Sequence, residues 1–196
     1  VRNGGKSWSS NGGIADFYCV FARTSPAVRR PDGSAAAEGI SAFVIKPGDA
    51  GFTIAERIDA MAPHPLARLA FEDCRIPASN LIGGVEGKGF HHAIGGLELG
   101  RINVAARGVG VANAALKDAV AYAQVRKTFG KPICEHQAIQ LKLGEMATRC
   151  EAARLLVESA ARAYDAGERC DMEAGMAKYF ASEAALENSI AAMRIH

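Results

Sequence analysis

A chain of 196 residues with a net charge of only +2 lacks the positive field that would hold nucleic acid or an anionic membrane. A hydrophobic share of 49% against 22% charged residues is that of a globular protein of one or two domains, and no apolar run approaches the roughly 20 residues of a membrane span. The 5 cysteines are odd in number, scattered and without a Cys-x-x-Cys pair, which points to reduced thiols in a cytoplasmic or mitochondrial-matrix-like compartment rather than secretion.

The chain opens on Val1 with Val1-Arg2-Asn3-Gly4-Gly5-Lys6-Ser7-Trp8-Ser9-Ser10-Asn11-Gly12, which reads as two strand edges around an Asn-Gly turn with its only Trp plugging a β core. Short apolar runs follow at 15–22, 40–45, 52–54 and 69–71, separated by Pro and Gly turn signals. This spacing predicts a small antiparallel sandwich or barrel-like domain over 1–85. The polar, Ala-rich stretch 29–38 predicts a mobile hairpin loop.

Beyond residue 85 the period becomes helical, and 86–196 is expected to hold the first three helices of an up-down bundle, giving an α+β chain. In the first helix, about 89–124, Phe90, Ile94, Leu97, Arg101, Val104, Gly108 and Val111 form one seam at steps of three and four. Arg101 on that seam must be paired inside the bundle or line a polar cleft. Gly95, Gly96, Gly100, Gly108 and Gly110 weaken a helix and call for tertiary support. Next comes Arg126-Lys127-Thr128-Phe129-Gly130-Lys131-Pro132, then Glu135-His136-Gln137. Cations that can meet a phosphate, an aromatic ring and a Gly lie together there, although the composition also suits a solvated connection between helices. The second helix carries Ile139, Leu143, Met146, Cys150, Ala153, Val157, Ala160 and Tyr164 on its seam. Gly167 stops it and Asp171 caps a third helix, whose seam is Met172, Met176, Tyr179, Leu186, Ile190 and Met193. The pattern runs unbroken into His196, so the expectation is an internal stretch of a longer protein with a fourth helix to follow. His91-His92 and the cysteines show no metal-ligand spacing, and no metal is assigned.

Several of these runs together resemble the acyl-CoA dehydrogenase family of flavoproteins. The connector resembles R-K-T/Q-F-G-K-x-x-x-x-x-Q, and the opening run resembles N-G-x-K-x-W-I-T-N-G, with Ser9 for Ile and Ser10 for Thr. Phe71-Glu72-Asp73-Cys74-Arg75-Ile76-Pro77, Asn80-Leu81-Ile82-Gly83 and Glu86-Gly87-Lys88-Gly89-Phe90 resemble the family's passage from β domain to bundle. Met61-Ala62-Pro63-His64-Pro65-Leu66 departs from the family's wording, which carries Ser and Thr there. The resemblance implies FAD-dependent α,β-dehydrogenation of an acyl-CoA thioester, in which a Glu takes the α proton and the flavin ring accepts a hydride. It implies FAD contacts from Trp8, Ser9, Ser10, Arg126, Lys127, Thr128, Phe129, His136, Gln137 and Arg194, the last standing where the family has Gln. It implies acyl-CoA contacts from Glu98, Leu99, Gly100 and Arg101, an electron-transfer flavoprotein as redox partner, and a homodimer or homotetramer sharing FAD across its interface. No catalytic residue is assigned: the family's Glu either matches a position beyond His196 or falls at Gly100, and this stretch alone is expected to be inactive. A flavin oxidase or monooxygenase on the same fold, or a non-catalytic paralogue acting as a binding module, are the other readings.

Overall fold

The structure, a computed structural model, describes residues 2–26, 31, 38–61 and 63–196, with Arg2 described by its backbone alone. The expected loop over 29–38 therefore lies outside the described residues except for Pro31 and Glu38, as does Ala62 of the divergent loop. The chain divides into two compact units, Val1–Ile94 and Gly95–His196, each taken by itself below.

In the first unit, β1 (Arg2–Ser10), β5 (Leu66–Cys74) and β4 (Phe52–Ile58) form an antiparallel sheet in that order, and β2 (Tyr18–Arg23) pairs with β3 (Ile40–Ile45). Alternating burial along the strands turns Tyr18, Val20, Ile45, Phe52, Ala67, Leu69 and Phe71 into one core shared by both sheets. The rings of Tyr18, Phe52 and Phe71 pack through it at a tilt, with centroids 5.1 and 5.3 Å apart. The opening run is not a hairpin: it is the single strand β1, paired with the distant β5. Nor does its Trp plug the core. Trp8 is 67% exposed, because β1 bulges between Lys6 and Ser9 and rotates that side chain outward.

In the second unit, α1 (Gly89–Val125, its first turns in the first unit), α2 (Gln137–Asp165) and α3 (Asp171–Ile195) are the three helices. The seam of α2 is as the periodicity predicts, with Met146, Cys150, Ala153 and Ala160 buried, but Tyr164 is exposed. The seams of α1 and α3 depart from the expectation, although Gly108 and Ile190 on them are half-buried. Phe90, Ile94, Leu97, Val104 and Val111 on α1, and Met172, Met176, Tyr179, Leu186 and Met193 on α3, are exposed. Ile102, Ala105, Ala112, Ala119 and Ala123 of α1 are buried instead, with Ala174, Ala177, Ala181, Ala184 and Ala192 of α3. Alanine lets helix axes approach closely, and the close-packed stripe wins over the bulky one. Arg101, on the bulky stripe, is accordingly exposed and not an interior ion pair.

The α2–α3 connection ends α2 with Gly167 at φ +70°, its N–H donating to Tyr164 O and that of Glu168 to Ala163 O. Asp171 does not cap α3: it is the first helical residue, and its carboxylate receives two bonds from Arg169 at 2.7 and 3.0 Å, while Cys170 takes the cap position.

Candidate functional site

Four described residues other than glycine hold a positive φ: Trp8, Asn11, Asp73 and Phe129. Asn and Asp tolerate this region; a bulky aromatic there carries strain that the surroundings must offset. Both strained aromatics are turned to solvent, Trp8 at 67% and Phe129 at 98% exposure. Each stands beside a cleft.

The first cleft, of about 450 Å³, lies in the β unit and is lined by β1 residues Lys6, Ser9 and Ser10 together with Phe17 and Tyr18. Trp8 does not line it; it projects outward between Ser7 and Ser9, which do. The floor is rigid. Asn11 N–H donates to Pro65 O at 2.8 Å, and Arg57 donates to the carbonyls of Gly12 and Gly13 at 2.8 and 3.3 Å. The Ser10 hydroxyl is 3.0 Å from His64 Nε2.

The second cleft, of about 330 Å³, lies in the helical unit and is lined by Tyr122, Arg126, Thr128, Phe129, Ile133, His136, Ile139, Ile195 and His196. The connector that builds it is a tight hairpin, β6 (Lys127–Thr128) against β7 (Lys131–Pro132). Phe129 at φ +50° and Gly130 at φ +80° are its two turn residues, the pairing of positive angles that a two-residue hairpin with the right twist requires. The turn thrusts the Phe129 ring outward. Thr128 Oγ1 meets His136 Nε2 at 3.0 Å, and the Phe129 ring stands edge-on to His136 with centroids 6.2 Å apart. Tyr122 stacks on His196 at 4.4 Å.

Of the residues expected to hold the cofactor, Arg126, Thr128, Phe129 and His136 share the second cleft, and Ser9 and Ser10 the first. Lys127, Gln137 and Arg194 are exposed and line neither. Glu98, Leu99, Gly100 and Arg101 follow one another on α1: Leu99 and Arg101 are exposed, Glu98 and Gly100 half-buried. Arg101 assists the nearer Arg169 in holding the Asp171 carboxyl below the ordinary range. Sequence reasoning missed His64, Arg57, Tyr122 and the apolar wall of Ile133, Ile139 and Ile195. The one available signal was the Pro63-His64-Pro65 departure, which marks a stiff loop without saying what it touches. Among the described residues no cluster of three or more His, Cys, Asp or Glu could hold a metal ion, and no helix is long and apolar enough to cross a membrane.

Two sheets on one core, followed by three helices with an aromatic-tipped hairpin between the first two, match known proteins along the chain. Residues 1–74 match the middle domain of acyl-CoA dehydrogenases and residues 87–196 the C-terminal domain. An acyl-CoA dehydrogenase of Bacillus subtilis is 44% identical over all of this chain and 50% of its own length. The structure of butyryl-CoA dehydrogenase from Megasphaera elsdenii superposes with a TM-score of 0.90 at 42% identity, over 98% of this chain and 49% of that one. A structure from Acidaminococcus fermentans, described as that of an electron transferring flavoprotein in flavin-based electron bifurcation, gives a TM-score of 0.89 at 42% identity, over 98% and 49%. The chain belongs to the acyl-CoA dehydrogenase family. It spans about half the length of the curated relatives it matches.

Proposed function

We propose that this chain holds FAD and takes part in the α,β-dehydrogenation of an acyl-CoA thioester, with its domain boundary at 85/86. The observation that carries the reading is the pair of strained, solvent-facing aromatics, Trp8 and Phe129, each beside a cleft with polar donors. A flat, apolar ring with an anionic diphosphate tail fits such residues. Exposed aromatics offer packing faces, Ser10 and Thr128 offer hydroxyls, and Arg126 offers a planar cationic fork. When bound, the flavin supplies the ring that accepts a hydride. Ser10 donates a hydrogen bond to the edge of that ring and Trp8 packs beside it, while Ser9 presents a second hydroxyl. Arg126 and Lys127 meet the phosphates, and Thr128, Phe129, His136 and Gln137 position the rest of the cofactor. Arg194, near the end of α3, adds a cation. Glu98 to Arg101 border the acyl chain.

The two clefts serve one FAD across a homodimer or homotetramer, the β unit of one copy facing the hairpin of its partner. The exposed apolar side chains of α1 and α3 favour such association. An electron-transfer flavoprotein is the expected redox partner. Five free thiols, three of them buried, suit a reducing compartment of the cytoplasmic or matrix type.

The test is Arg126→Ala. Loss of a charge-assisted bond of about 1.5–3 kcal/mol should weaken FAD binding about 10- to 100-fold, read by quenching of flavin fluorescence. Unchanged FAD affinity would remove Arg126 from the site.

A further inference from the structure

Among the described residues, the side chain in hydrogen-bond contact with the Ser10 hydroxyl is His64, through Nε2 at 3.0 Å. The contact lies at the surface, and the backbone on either side of it is tied down. His64 sits between Pro63 and Pro65, which restrict its backbone. Pro65 accepts the N–H of Asn11, and Ser10 pairs with Leu66 across the β1–β5 register, so both neighbours of the contact are tied together. Arg57 ties the far side by donating to the carbonyls of Gly12 and Gly13. Arg57 and Asp59 line the recess of about 300 Å³ that His64 shares, and β5 contributes Leu66 to it.

A serine hydroxyl has a single proton to give. If the imidazole offers an Nε2 lone pair, that proton is spent on His64. If Nε2 is protonated, it donates to Ser10 Oγ and the hydroxyl proton is released toward the cleft. We propose that His64 is a positioning residue whose protonation decides whether Ser10 can donate to a bound flavin ring. The inference rests on the flavin reading above and deepens it. In the neutral ring the proton sits on Nδ1 and Nε2 accepts from Ser10; acid reverses the bond. Imidazole is the side chain whose unperturbed charge change lies between about pH 5 and 8, which sets the range over which the switch is tested.

Two measurements test this. In the ligand-free chain, ¹⁵N NMR at about pH 8 should show an unprotonated Nε2 in His64, and Ser10→Ala should shift the ring toward the other tautomer. A protonated Nε2 in the neutral wild-type ring overturns the proposal. In the flavin-loaded protein, the flavin absorbance band should move toward its Ser10→Ala position as the pH rises from about 5 to 8. In His64→Gln, whose amide cannot titrate, it should stay fixed. A band that responds to Ser10→Ala but not to pH overturns this inference and leaves the functional reading standing. A wild-type protein that binds no flavin overturns the functional reading and the inference with it.

Discussion

Phe129 shows how a single residue can set stability against function. At φ +50° it occupies a conformation that costs an L-residue about 1–2 kcal/mol, and at 98% exposure it regains little by packing. Followed by Gly130, the position suits Asn, the preferred first residue of such a turn. Phe129→Asn should therefore raise unfolding stability by up to about 1 kcal/mol, measured by urea denaturation, while weakening FAD binding through loss of the ring. If the variant is less stable and binds FAD normally, the ring serves the fold and not the cofactor. Trp8 follows the same logic in β1. The motif made both aromatics visible in sequence, but their strain was not: a residue's φ is imposed by the pairing register around it, here the Lys6-to-Ser9 bulge and the Lys127–Pro132 hairpin.

At the scale of the element, small residues govern the helices. A Cβ on Gly108 would come within 2.7 Å of Ala181 O, a backbone atom that cannot step aside, whereas one on Gly110 would meet nothing within 4 Å. The two glycines are two residues apart, about 200° round the helix, and equal in propensity. Gly108→Ala should destabilise by about 1–3 kcal/mol, because overpacking outweighs the helix gain. Gly110→Ala should stabilise by up to about 1 kcal/mol. Paired thermal melts check the contrast, and equal shifts would mean that α1 and α3 are not in close contact. Asn188 interrupts the alanine stripe of α3, fully buried, with its amide donating to Met146 O at 3.0 Å and lying 3.2 Å from Cys150 Sγ. It ties α3 to the α2 seam at one height, since a buried amide is costly away from its partners. Periodicity located three helices correctly but chose the wrong face on two of them. In α3 the bulky stripe and the alanine stripe have the same helical period, so hydrophobic size alone ranks them in the wrong order.

Across the molecule, charge placement makes stability depend on pH. The Asp171 carboxyl is held below the ordinary range by its bonds from Arg169, and that of Glu151 by its two bonds from Arg154. The unfolded chain therefore takes up these protons at a higher pH than the folded one. Their stabilising contribution is complete above the ordinary carboxylate range, near pH 4, and is lost as the pH falls through the lowered folded values. Melting temperature should drop as the pH falls below about 4, and less steeply in Asp171→Asn. An identical slope in the variant would show that the Arg169 contact does not persist in solution. In the opposite sense, burial pushes the Cys74 and Cys150 thiols above their usual range, which keeps them protonated and unreactive at neutral pH.

The sequence by itself determined the class of the chain and the order of its parts. Alternating runs and Pro-Gly punctuation specify strands because pleated backbone has a period of two, and a 3.6-residue period specifies helices wherever it persists. It also determined the chemistry on offer, since Arg126, Thr128, Phe129 and Ser10 bring their fork, hydroxyls and ring wherever the fold puts them. Only the tertiary structure decided which helical stripe is buried, where Trp8 points and that His64 meets Ser10. Each of these depends on contacts between residues far apart in the chain, 54 positions in the last case. Distance along a sequence carries no record of which backbones can approach closely enough to touch.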